Sequence, residues 1–199
     1  MASERGGVRV VTICGSVRPG NFTSKALNLV IDEFRQHPGI ALEVIDPATI
    51  ELPLPGIGNE SPATRKMKGA VAQATGVVMA TPEYHGSYSS VIKLVIENLG
   101  FPSVLMGKPV ALLGVAAGAI GAIKAMEHLR SVCSHVGAIV LPGPVSVAEV
   151  HKVFDEEGRC LNAGTEKRIR GVAKNLIDYI HTNICPRVAL EEMVRMGTR

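Results

Sequence analysis

Three short segments of this chain carry residue types that bind small molecules, and each follows an apolar run. The first is Gly15-Ser16-Val17-Arg18-Pro19-Gly20-Asn21-Phe22-Thr23-Ser24. It leads into a helical pattern, and a helix N-terminus offers an anion free N–H groups and the positive end of a dipole. The hydroxyls of Ser16, Thr23 and Ser24 and the fork of Arg18 would add charge-assisted bonds to phosphate oxygens. The plainer reading, an ordinary strand-to-helix turn with Asn21 or Thr23 as N-cap, stays open. Two well-known phosphate loops are excluded. No Gly-Lys-Ser/Thr ends the segment, and Gly15 and Gly20 are too far apart for Gly-x-Gly-x-x-Gly.

The second segment is Thr81-Pro82-Glu83-Tyr84-His85-Gly86-Ser87-Tyr88-Ser89-Ser90. A loop of this composition can hold a flat heteroaromatic ring, with backbone groups at the ring edge and Tyr84 over a face or rim. The plainer alternatives are a helix-side or interface charge for Glu83 and a solvated turn residue for His85. The third segment, Gly114-Val115-Ala116-Ala117-Gly118-Ala119-Ile120-Gly121, has only small and aliphatic residues. It admits either a ligand or a closely packed backbone. No Gly-x-Ser-x-Gly nucleophile elbow occurs. His128, Cys133 and His135 share one helical pattern but do not converge as metal ligands, so no metal is expected. Cys14 reads as a buried small hydrophobe, and Met67, Met79, Met106 and Met126 as core or loop filler.

These segments need rigid elements to place them. Val8–Cys14, Leu42–Ile45, Gly76–Ala80, Pro109–Val115 and Ala138–Leu141 are short, nearly continuous apolar runs, as in parallel strands covered on both faces. Helical stripes fall between and after them, over Ser24–Gln36, Ala63–Ala74, Ser90–Leu99, Ile120–Val136 and Glu166–Ile180. Strand and helix alternate, which predicts an α/β fold with a doubly wound five-stranded parallel sheet and helices on both faces. In such a sheet ligands bind beyond the carboxyl ends of the strands, where all three segments lie. Pro186 is expected to break the last helix from the tail at 186–199.

Composition narrows the class further. Of 199 residues, 46% are hydrophobic and 20% charged, which excludes intrinsic disorder. The run Pro109 to Ile123 is too short and too rich in glycine for a membrane helix. The N-terminal residues show no secretory signal. The four cysteines form no Cys-x-x-Cys pair, so a reduced, cytoplasmic compartment is expected. A net charge of +3 suits anionic ligands. With 4% aromatics and no Trp, a base-stacking nucleic-acid platform is not expected.

Gly15-Ser16-Val17-Arg18-Pro19-Gly20-Asn21-Phe22-Thr23 resembles the phosphate loop of the NADPH-dependent FMN reductases, a family that includes quinone, chromate and azo-dye reductases. Thr81-Pro82-Glu83-Tyr84-His85-Gly86-Ser87 resembles that family's flavin loop, and His128-Leu129-Arg130 is a weaker third element. The resemblance spans about Val8 to Val140. It implies one flavodoxin-like FMN-binding domain over 1–199, with 186–199 as a C-terminal extension. Ser16, Arg18, Asn21 and Thr23 would hold the FMN phosphate, assisted by the Phe22 backbone. Pro82, Glu83, Tyr84, His85 and Gly86 would border the isoalloxazine, chiefly through backbone groups, and Gly118 would line the cavity floor. The implied activity is transfer of hydride from NAD(P)H through FMN to a quinone, free flavin, chromate or azo dye, with no obligatory catalytic side chain. The implied assembly is a homodimer or homotetramer. A flavodoxin-type electron carrier, or a phosphate- or nucleotide-binding module that does not oxidise NAD(P)H, is the alternative.

Overall fold

A computed structural model describes residues 7–57 and 59–197. Residues 1–6, on which the expectation about a secretory signal rests, lie outside them, as do the last two residues of the 186–199 extension. The strands are β1 (Val8–Cys14), β2 (Ile40–Ile45), β3 (Gly76–Tyr84), β4 (Ser87–Tyr88), β5 (Pro109–Val115), β6 (Ile139–Val140) and β7 (Val145–Val147). The helices are α1 (Phe22–Arg35), α2 (Pro62–Gln73), α3 (Ser90–Asn98), α4 (Ile123–His135), α5 (Ala163–Tyr179) and α6 (Cys185–Gly197). The sheet runs in the order β2-β1-β3-β5-β6, with β7 also pairing with β5, and all of these pairings are parallel. β4 adds antiparallel to the end of β3.

Alternate residues of the central strands feed two cores. Val10, Val78, Ala111 and Leu113 meet α1 and α5 on one face. Val11, Val77, Met79 and Leu112 meet α2, α3 and α4 on the other. This explains the unbroken apolar runs: both sides of each strand lose water, at about 25 cal/mol per Å² of apolar surface. Side chains start four of the helices. Asn21, Ser61, Ser89 and Asn162 accept N–H bonds at the N-termini of α1, α2, α3 and α5. α4 begins without a cap of its own.

β2, α1 and α5 start two or three residues earlier than the sequence expectation, and four further differences have a visible cause. β3 runs four residues past Ala80, to Tyr84, through Pro82. Pro82 is the last residue of β3 paired to β5, an end position where a missing N–H is tolerated. The fifth strand position is split, because Pro142-Gly143-Pro144 interrupts the ladder and the chain returns as β7. α4 starts at Ile123 rather than Ile120, since Gly121 has a φ of 80°, which no α-helix accommodates. Pro186 does not break the chain's last helical stretch. A π-helical turn over Ile180–Ile184 joins α5 to α6, and Pro186 sits in the first turn of α6.

Candidate active site

The sheet order reverses between β1 and β3, so a crevice opens there at the carboxyl ends of the strands. Gly15 leaves β1 and is pinned on both sides. Its N–H donates to Ala80 O at 2.7 Å, and its carbonyl accepts from Ser89 Oγ at 2.6 Å. Ser89 also caps α3 at the N–H of Ile92, and its own N–H donates to Thr81 Oγ1 at 3.1 Å. The segment after β1 and the segment after β3 are therefore one bonded unit. A Cβ on Gly15 would stand 2.5 Å from both Ala80 O and Ile92 Cγ1, so only glycine fits.

Beyond Gly15 the chain wraps a cavity of about 310 Å³, lined by Ser16, Arg18, Asn21, Ser24 and Asp46 among others. Ser16 is buried, yet its hydroxyl has no hydrogen-bond partner among the described residues. An orphaned buried hydroxyl costs about 1–3 kcal/mol unless something outside the chain satisfies it. Among the described residues the other such atom is Thr12 Oγ1, in the body of β1. Among the described residues the guanidinium of Arg18 makes no hydrogen bond or ion pair; it lies over the ring of Tyr84, 4.8 Å from the centroid. Asn21 is already committed. Its Oδ1 accepts from Ser24 N at 2.8 Å and its Nδ2 donates to Arg18 O at 2.7 Å, so its side chain shapes the loop. Since Asn21 takes the N–H of Ser24, the N–H groups of Phe22 and Thr23 are those left at this helix end. Thr23 is buried and Phe22 half-buried, with Lys25 Nζ 5.2 Å above the Phe22 ring. The nearest acid, Asp46, spends Oδ1 on the N–H of Ala48. The cavity thus brings the Ser16 hydroxyl and the Arg18 guanidinium together with one carboxylate, Asp46, and the N–H groups of Phe22 and Thr23 follow at the adjoining helix end.

The second segment is a hairpin rather than an open loop. Tyr84 pairs with Ser87, and His85 and Gly86 turn the corner with φ of 51° and 73°. Two consecutive left-handed residues define a tight two-residue hairpin turn, and Gly86 makes its second position inexpensive. Two bonds clamp the hairpin to α4. Glu83 Oε2 accepts the N–H of Ala125 at 3.0 Å, and Ser87 Oγ lies 3.0 Å from His128 Nδ1. Glu83 thereby supplies the N-terminal acceptor that α4 lacks, a favourable place for a carboxylate. Of its two roles read from sequence, this is the helix-side one, while its main chain pairs with Tyr88 in the β3–β4 ladder. His85 is exposed at the turn.

In the third segment the spatial demand falls on Gly121, not Gly118. A Cβ on Gly121 would stand 2.5 Å from Ser146 Oγ, which accepts the N–H of Ala122 at 2.8 Å. Gly118 is exposed, and a Cβ there meets nothing within 4 Å. Its carbonyl accepts from Gly121 N and Glu149 N. Ser89 and Gly121 lie in the segments read from sequence and His128 in the weaker third element, but the sequence assigns none of the three a role in the site. Ser89 had a readable signal, a serine just before an apolar helix, whereas the contact of His128 with the hairpin becomes legible only once α4 lies beside it. Burial raises the thiol pKa of Cys14 and pushes that of Cys133 up to about 12. Both stay protonated at neutral pH, so neither is a nucleophile here.

A doubly wound sheet with a donor-rich cradle after β1 and a clamped hairpin after β3, both at its switch point, defines a flavodoxin-like nucleotide-binding protein. The sequence model of the NADPH-dependent FMN reductases matches residues 8–152, and the chain belongs to that family. It is 34% identical over 177 residues to an NADPH azoreductase of Bacillus sp. (strain OY1-2), covering 87% of this chain and 93% of the relative. It is 32% identical over 165 residues to an NAD(P)H-dependent FMN reductase of Pseudomonas aeruginosa, covering 78% and 85%. In fold it is similar to a flavoenzyme NAD(P)H:(acceptor) oxidoreductase of Paracoccus denitrificans, with a TM-score of 0.73, 21% identity, and coverage of 88% of this chain and 97% of that one. The protein is accordingly an FMN-dependent oxidoreductase that draws hydride from NAD(P)H. Among the described residues, no helix is long and apolar enough to cross a membrane.

Proposed function

We propose that the chain reduces small, flat, electron-poor acceptors of the quinone or azo type at a site opening between the segments after β1, β3 and β5. The observation that carries the cofactor end is the buried hydroxyl of Ser16, unpartnered among the described residues, lining the same cavity as Arg18, whose guanidinium pairs with none of them. Ser16 Oγ, the Arg18 fork and the N–H groups of Phe22 and Thr23 hold the FMN phosphate. Asn21 holds the loop in shape. Pro82, Glu83, Tyr84, His85 and Gly86 border the isoalloxazine through their backbone, and Gly118, exposed after β5, lines the cavity floor.

The chemistry that FMN supplies when bound is hydride acceptance from NAD(P)H and hydride delivery to the acceptor. The protein's share is placement. The donor carbon must come within roughly 3–3.5 Å of the reacting atom, which the clamped hairpin and pinned Gly15 serve by holding the site rigid. Relatives named for azo-dye and benzoquinone reduction support the acceptor class. The purified protein is expected to be yellow and to bleach with NADPH alone. Steady-state rates against NADPH and a benzoquinone are expected to give parallel double-reciprocal lines, since both substrates use one open face in turn. A colourless protein that binds no added FMN would overturn the cofactor assignment, and converging lines would overturn the shared face.

The reading extends to the whole chain as one FMN-binding domain in a cytoplasmic, reduced setting, consistent with four free cysteines. It also includes assembly as a homodimer or homotetramer. Phe101 is 97% exposed, beside a cavity of about 590 Å³ that Ile96, Val132 and Val136 help to line. Apolar surface of this kind suits a second copy of the chain. Sedimentation showing only monomer at micromolar protein would overturn the assembly.

A further inference from the structure

The single basic residue of the Gly15–Ser24 segment, Arg18, is held at both ends. Asn21 Nδ2 fixes its backbone carbonyl, and the ring of Tyr84, on a different element, fixes its head group at 4.8 Å. A guanidinium held over a ring by cation–π attraction keeps its N–H donors for another partner, and Arg18 spends none of them within the described residues. Tyr84 is itself held in place, because the residues on either side of it in the hairpin are anchored to α4 through Glu83 and Ser87. Arg18 is exposed and would otherwise sample many rotamers, an ordering cost that ligand binding would have to meet.

We infer that Tyr84 is a positioning residue for Arg18: its ring sets the guanidinium for the phosphate, so the hairpin after β3 governs the phosphate end of the cofactor site. The inference rests on the FMN reading above. It differs from a direct contact between Tyr84 and the isoalloxazine, because the ring face that Arg18 covers is not open to a flavin. The Tyr84 side chain, as distinct from its backbone at the isoalloxazine, then affects a flavin only through the phosphate, and riboflavin, which lacks the phosphate, does not register its replacement.

The test compares dissociation constants for FMN and riboflavin, read from flavin fluorescence, across the parent chain, Tyr84→Phe, Tyr84→Leu, Arg18→Ala and the Tyr84→Leu/Arg18→Ala pair. Tyr84→Leu is expected to weaken FMN about two- to fivefold, the worth of an exposed cation–π contact, and to leave riboflavin unchanged. Tyr84→Phe keeps the ring and is expected to match the parent. In the Arg18→Ala background, Tyr84→Leu is expected to add nothing. Equal losses for FMN and riboflavin, a loss that persists without Arg18, or unchanged FMN affinity in Tyr84→Leu would each overturn the proposal. The thermal midpoint of flavin-free Tyr84→Leu is expected to match the parent, and a lowered midpoint with both flavins weakened counts against positioning. A parent chain that binds riboflavin and FMN equally would instead remove the phosphate cradle itself.

Discussion

Gly15→Ala is expected to cost about 3 kcal/mol of folding stability, the upper part of the range for overpacking a rigid site. The added Cβ would stand 2.5 Å from Ala80 O and from Ile92 Cγ1. Neither neighbour can easily yield. Ala80 O is held by the N–H of Gly15 itself at 2.7 Å, and Ile92 is wholly buried in the core under α3. Relief requires β1 and β3 to separate at their carboxyl ends, which breaks the Gly15–Ala80 bond and strains the Ser89 Oγ to Gly15 O bond. Because those bonds join the phosphate segment to the hairpin, FMN affinity is expected to fall at least tenfold with stability. For a chain of this size, 3 kcal/mol corresponds to a thermal midpoint lower by roughly 6–12 °C. Denaturation of the flavin-free protein measures the first effect and fluorescence titration the second. A variant that melts with the parent and binds FMN as tightly would show that the junction has room the geometry denies.

Arg18→Ala separates binding from stability. Arg18 is exposed and makes no ion pair among the described residues, so the flavin-free variant is expected to melt with the parent. The FMN dissociation constant is expected to rise roughly ten- to 150-fold, from losing charge-assisted bonds worth about 1.5–3 kcal/mol. Riboflavin affinity should scarcely change. The salt dependence of FMN binding should weaken in the variant, because a cation facing the phosphate dianion is gone. Arg18→Lys keeps the charge but not the planar fork or the stack on Tyr84, and should fall between the two. Unchanged FMN affinity in Arg18→Ala would move the phosphate away from this cradle.

What the sequence determined by itself was everything governed by short-range pattern. Val8–Cys14 and Pro109–Val115 are legible end to end, because residues buried on both faces leave unbroken apolar runs. The stripe Ala26, Leu27, Val30, Ile31, Phe34 marks α1, since a 3.6-residue period needs no partner to be visible. Asn21 was one of two residues offered as the N-cap of α1, and the structure selects it. The positions of the two ligand segments also followed, because a strand–helix order puts its loops at the strand ends.

What only the tertiary structure decided is how each polar side chain is used. Glu83 serves α4, forty-two residues away, because the sheet order carries the β3 hairpin over the start of that helix. Asn21 shares with Ser16 and Arg18 a composition that suits phosphate, but its amide is consumed by its own loop while the hydroxyl of Ser16 is left unpaired. Gly118 and Gly121 look alike in the sequence, and only the approach of Ser146 from the β7 segment singles out Gly121. Pro186 breaks helices in isolation, yet a π turn ahead of it lets the chain continue. Periodicity and capping act over a few residues and are written locally. Hydrogen-bond partners and steric neighbours are chosen by which distant elements the topology sets side by side, and those choices exist only once the sheet has formed.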